Sequence, residues 1–311
     1  MSVRPPITLL ALLIASAGSA ADFSRAEVEA LLRQRHHVGA PRFAGNDLAD
    51  LDLSGVDFQG IDVSGASFFA SKLVQTNFTA ANLRGAKLNG AWLMGTNFSG
   101  ADLTNAMLMS VVVTGGEVKQ PPNFKGAKLP GARIIADFMR ADFSGADLSG
   151  AKLGVDMRYQ GMGQMRTDLT GANLQGANLT DADLNRCVIE FADLRGANLT
   201  NAILFRADLS GADLSGANVT GADFSEAKLS GAVLKNVQGL QQVKGWDTAE
   251  GRDRAIFDMP VAGTGSAPPT ASQNQPQASQ NPPAVRENQA TPSKPSRKTK
   301  PLRAKKPVQT K

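Results

Sequence analysis

The side chains that could do chemistry are few, and their spacing limits what they can do. The two histidines, His36 and His37, are adjacent, and Cys187 is the only cysteine. Neighbouring side chains point apart, and no Cys, His or acidic cluster lies near the pair, so a loop is expected there rather than a metal centre. A lone cysteine cannot form an intramolecular disulfide. Two residues before Ile189 it takes an inward, small position and reads as a buried hydrophobe, not a nucleophile. The window GVDMRYQGMGQMR at 154–166 carries Met157, Met162 and Met165, a set that suits a soft metal such as copper or packs against the rest of the chain. In the same window Arg158, Tyr159 and Arg166 suit an anionic or aromatic partner. The carboxylates sit at regular intervals with no acid–base pair in a cleft, and the glycines follow corners rather than a strand-to-helix phosphate loop. The reading is of a chain that is not an enzyme and carries no cofactor or metal ligand set.

The elements that must position these residues are repeats. Ala141–Gly150 reads ADFSGADLSG, and the phrase returns at Thr167–Thr180 and Ala207–Glu226. In each five-residue unit a large apolar centre follows a small residue and a polar one, and two turn-forming residues come next. Centres run at five-residue steps from Leu48 to Val118, then Phe124, Leu129 and Ile134, then Phe138 to Leu153, then Leu169 to Leu234. Small, polar, large is a three-residue strand pointing in, out, in, and Gly, Ser and Asn turn the corner. A chain that repeats strand and corner winds into a coil whose layers, about 4.8 Å apart, pair as a parallel ladder. Phe58, Phe78 and Phe98 recur at twenty residues, so four units per layer would stack their rings, with Phe138 in register two layers later. The 36 centres then give about nine coils.

This pattern resembles the pentapeptide-repeat family. The resemblance implies an all-β fold, a right-handed quadrilateral parallel β-helix with centre and small residue both inside, over residues 46–237. It also implies that outward loops such as 154–166 often carry the activity. Some members of the family protect DNA gyrase by presenting an acidic, DNA-like rod. Here sixteen basic and twenty acidic side chains between Gly45 and Asn236 leave a net charge of only −4, too weakly acidic to argue for such a mimic, and export would keep the protein from gyrase.

Outside the coil the chain divides by composition. Residues 1–21 have Arg4, an apolar run at Ile7–Ala15 and a small-residue site at Gly18–Ala20, the form of a cleaved secretory signal peptide. A periplasmic or secreted protein is expected. Residues 22–45 hold a capping helix opened by Ser24-Arg-Ala-Glu27, with Val28, Leu31 and Leu32 on one face. At 238–262 the period fails, and Leu240, Val243, Trp246, Ile256 and Phe257 would plug the last coil. A short helix at Asp247–Phe257 and a homodimer through this cap are both open readings. Residues 263–311 are rich in Pro, Gln, Ser and Lys, with no aromatic residue after Ser266, and are expected to be disordered. From Val261 onward nine basic residues face one acidic one. That tail suits an anionic envelope surface, whereas export disfavours nucleic acid.

One surface feature breaks the polar pattern. Trp92 and Val112 take outward positions twenty residues apart and should share a face. Met107 holds the equivalent slot on the adjoining face, and Met94 and Met109 are corner residues beside them. Ile203 and Phe205 form a smaller outward pair. Outward Trp, Met and Val suggest a contact surface. The leading reading is an exported protein-binding or scaffold rod with an unknown protein partner. The alternatives are a small-molecule or soft-metal binder using 154–166, and an acidic DNA-mimic regulator.

Overall fold

The computed structural model describes residues 21–34, 42–113, 119–155 and 166–258. Over these the alternation sets every side chain's direction. Centres from Phe43 to Leu234 are essentially inaccessible, as are nearly all the small residues that precede them by two. The polar residue between pairs in parallel with its counterpart one layer on. Four columns of outward residues result, named here by an early member. The Asp47 face runs through Ser67, Lys87, Met107, Arg133, Lys152, Asp183, Ile203, Asp223 and Lys244. The Asp52, Asp57 and Asp62 faces follow it in order. Within this lattice β1 (Met107–Met109) pairs with β2 (Arg133–Ile135), and β3 (Val233–Leu234) with β4 (Ile256–Phe257).

The expected phenylalanine stack is present. Phe58, Phe78 and Phe98 stack at ring separations of 5.0 and 5.3 Å. The column continues through Phe124 and Phe143 at 4.9 and 4.7 Å, not through Phe138. Phe138 lies in the neighbouring column and meets both rings edge-on. The reason is register: Asn97 pairs with Asn123 and Asn123 with Asp142, so two layers here take one five-residue unit more than the regular repeat needs, and the stack passes to Phe143. Val113 and Phe124 are successive centres, and the unit expected at Val118 lies outside the described residues. Likewise Leu153 and Leu169 are successive centres, so the chain leaves at Val155 and returns at Arg166 across a single corner.

At the small inward positions Ser71, Thr76 and Thr96 stand where most repeats have Ala. Each hydroxyl donates to a carbonyl one layer away, at Leu48, Leu53 and Leu73 (2.6, 2.8 and 2.6 Å). A buried hydroxyl without such a partner would be costly, and among the described residues no buried side-chain N or O lacks one.

Both ends of the stack find partners. Helix α1 (Arg25–Arg33) begins with the Ser24/Glu27 capping box. It buries Val28 and Leu32, one turn apart, but leaves Leu31 turned outward, because a stripe spaced by four residues is enough for the contact. Phe23 meets Phe43 edge-on at 5.4 Å. Asp22 N–H donates to the Asp47 carbonyl (2.7 Å), and Arg25 donates to the carbonyls of Asp52 and Ser54 (2.9 and 3.0 Å). These carbonyls have no layer beneath them. At the other end the period does not fail but lengthens to six: Gln238, Lys244, Glu250 and Ile256 continue the four faces. Short 3₁₀ turns at Leu240–Gln242, Trp246–Thr248 and Arg252–Arg254 fill the corners in place of the expected helix. Gly239 and Gly245, at φ 77° and 65°, open two of them, and a Cβ there would fall 2.6 and 2.5 Å from the backbone of Thr220 and Ser225. Trp246 is buried, edge-on to Phe224 and Phe257.

Candidate functional site

The outward Asp and Asn residues have a structural task. On the Asp57 face every layer from Asp57 to Asp213 carries one, and each accepts the backbone N–H two residues on, at 2.9–3.2 Å across this face and the next. The Asp62 face does the same from Asp62 to Asn218, with Lys128 the exception. These Asx turns hold each corner. Asn77 and Asn82 also donate sideways to Asp57 and Asp62 (2.8 and 2.9 Å), which ties adjacent layers together. Acidic residues on two sides of the coil are therefore part of its corner chemistry.

The other two faces abandon this device over one contiguous block. The Asp47 face has Ser67, Lys87, Met107, Arg133 and Lys152 in succession, and the Asp52 face has Lys72, Trp92 and Val112. The corner between them carries Phe69, Met109 and Ile135. Trp92 and Val112 are paired in successive layers, as the spacing predicts, and Met107 lies on the adjoining face in the layer of Val112. The indole of Trp92 is 40% exposed, with the Lys72 ammonium 5.9 Å from its ring centroid. Met109 accepts a hydrogen bond from Arg133 Nε at its sulfur (3.3 Å).

Met94 does not join this surface. It is 3% exposed, at a corner where the next residue, Gly95, donates its N–H to the Gln120 carbonyl. The chain re-entering before Asn123 crosses that corner. Arg166 is exposed where the chain rejoins the coil. Arg158, Tyr159, Met157, Met162 and Met165 lie outside the described residues, as do His36 and His37. Cys187 is buried, and burial pushes its thiol well above the usual range, with the Asp183 carboxylate adding to the effect. Among the described residues no group of three His, Cys, Asp or Glu could hold a metal ion, and no helix is long and apolar enough to cross a membrane.

Two exposed aromatics escape a sequence reading that looks only at middle positions. Phe69 is at the corner beside the block, and Phe191 occupies the left-handed corner position (φ 56°) that glycine usually holds, 68% exposed. The signal was visible: both stand where the repeat asks for Ser or Gly. Ile203 is exposed and Phe205 half-buried, with the Arg206 guanidinium 4.9 Å from the Phe205 ring. Among the described residues, the outward large apolar side chains between Phe69 and Phe205 all lie on the Asp47 and Asp52 faces and their corners. Both interruptions of the repeat, at 114–118 and 156–165, open at the corners flanking the Asp52 face.

Comparisons agree with the lattice. The family model for pentapeptide repeats matches eight copies, over residues 64–100, 123–154, 165–201 and 202–237. No curated protein sequence matches the chain. Among solved structures, HetL of the cyanobacterium Nostoc sp. strain PCC 7120, a protein involved in heterocyst differentiation regulation, is 29% identical. That match covers 77% of this chain and 98% of HetL, with a TM-score of 0.33. Rfr23 of the cyanobacterium Cyanothece 51142 is 31% identical over 39% of this chain and 91% of its own, with a TM-score of 0.21. QnrB1, a plasmid-mediated fluoroquinolone resistance protein, is 18% identical over 65% and 90%, with a TM-score of 0.25. With eight matched copies set on a four-sided lattice of parallel layers, the chain belongs to the pentapeptide-repeat family, and its coil is the right-handed quadrilateral β-helix of that family.

Proposed function

We propose that this protein is a non-enzymatic, exported scaffold that docks a protein partner on the Trp92–Val112 face. The observation that carries the reading is Trp92 itself. It stands in a repeat whose usual outward residue is an Asp or Asn that closes a corner, and most of what replaces that residue around it is apolar or cationic and partly open to solvent. An outward Trp, with Met107, Met109 and Val112 around it, has the composition of an interface core. Ten successive paired layers along the Asp47 face support it. Helix α1 closes one end of the coil and the six-residue turn closes the other. The segment before residue 21 serves as the export signal, and the basic tail after Val261 tethers the protein to an anionic envelope component.

A photo-crosslinking residue placed at Trp92, and at Asn77 on a polar face as control, tests the docking face in the native host. A protein adduct at position 92 and none at 77 is expected. Equal labelling at the two positions, or none at either, removes the reading. Fractionation of the host tests export, and recovery of full-length protein in the cytoplasm would end that part.

A further inference from the structure

We infer that the block on the Asp47 and Asp52 faces recognises an acidic protein segment with apolar anchors. This rests on the docking reading above and specifies its partner. The eight outward residues from Ser67 to Lys152 and from Lys72 to Val112 include four cations and no carboxylate, on a chain whose outward default is Asp or Asn. Lys72, Lys87 and Lys152 are exposed, with Trp92, Met107 and Met109 among them, and the Lys72 ammonium also lies 3.9 Å from the Asp52 carboxylate just outside the block. Cations around an apolar centre are complementary to carboxylates flanking Leu, Phe or Trp, and would steer such a segment into register. Methionine adds contacts that adapt to the incoming side chains.

The block spans five layers on the Asp47 face and three on the Asp52 face, where Asp137 and Asp168 occupy the next two layers. Five layers measure about 19 Å at the ladder spacing, the length of roughly six extended or thirteen helical residues. The chain's own basic tail is repelled by the same charges, and so is the corresponding block of a second copy. A lipid surface fits less well. Apart from Trp92 and Phe69 the apolar side chains of the block are half-buried, which leaves little of them to enter the several ångströms of bilayer that interfacial anchors need.

The test uses the full chain, a random phage-displayed peptide library, and fluorescence anisotropy of the enriched peptides. Enriched peptides should be acidic with aromatic or aliphatic residues, and should bind less tightly as salt rises. Their affinity should fall about tenfold or more for Trp92→Ser, and as much for the combined Lys72→Glu, Lys87→Glu and Lys152→Glu variant, both checked for an unchanged circular dichroism spectrum. Should Trp92→Ser unfold, the charge-reversed variant decides alone. Enrichment of neutral or basic peptides, no enrichment, or undiminished binding to the charge-reversed variant overturns the inference. So does self-association that the reversal abolishes, or binding to phosphatidylglycerol vesicles lost in the same variants. A photo-adduct at Trp92 formed by a segment that is not acidic would sink this inference and leave the docking reading intact.

Discussion

Arg25 donates through Nη1 to the backbone carbonyl of Asp52 at 2.9 Å, and through Nη2 to that of Ser54 at 3.0 Å. Elsewhere in the coil the equivalent carbonyls accept N–H groups from the layer below. Here one guanidinium substitutes for that layer. Arg25→Ala should lower stability by about 1 kcal/mol, the lower range for a charge-assisted bond at a partly exposed site. A thermal melt reads the loss, and exchange of the amides near Asp52 with deuterium should rise before that of the coil's centre. Unchanged melting and exchange would mean that solvent serves these carbonyls equally well.

The phenylalanine column passes to leucine at Leu174, directly above Phe143 in register. Leucine is therefore compatible with the shaft, and Phe98→Leu should cost only about 1 kcal/mol, whereas Phe98→Ala should cost roughly 3–5 kcal/mol through the cavity it leaves. Denaturant titration distinguishes the two. Combining Phe78→Leu with Phe98→Leu should be non-additive, since the two rings stack at 5.3 Å and 2°.

Phe191 holds a left-handed backbone with a φ of 56° while its column neighbours Gly171 and Gly211 hold the same corner without a side chain. Relieving a left-handed non-glycine residue gains about 1–2 kcal/mol, less the greater unfolded-state entropy of glycine. Phe191→Gly should therefore raise stability by about 0.5–1 kcal/mol, seen as a higher melting temperature. A melting temperature that falls would show that the ring, lying against Gly211, contributes more packing than the backbone loses.

Asp193 is held below the usual carboxylate range, chiefly by the hydrogen bond from the Arg195 side chain (2.8 Å), with partial burial opposing. A carboxyl whose folded value is depressed stabilises the fold above its unfolded value of about 3.9. That contribution disappears as the pH falls through the lower, folded value. Acidification from neutral should leave the melting temperature level until near pH 4 and then reduce it. In Asp193→Asn, where the amide oxygen still closes the Asx turn, the drop should be smaller. An equal drop in the variant would place the acid sensitivity on other carboxylates.

The five-residue period, with its apolar centre and small partner, determined the four-sided coil and the inward direction of residues such as Leu48, Phe78 and Cys187, because alternation and corners act locally. It also placed Trp92 and Val112 on one face, since twenty residues without interruption close one layer. Only the tertiary structure decided what happens where the count is disturbed. Phe143 rather than Phe138 continues the ring stack, Met94 is covered by the chain re-entering before Asn123, and the stretch from Gln238 closes another layer at a step of six. Register across an interruption depends on which backbone groups meet in the next layer, a long-range choice that no local spacing encodes. For the same reason the gathering of outward apolar residues on two of four faces appears only after each corner has been assigned to its column.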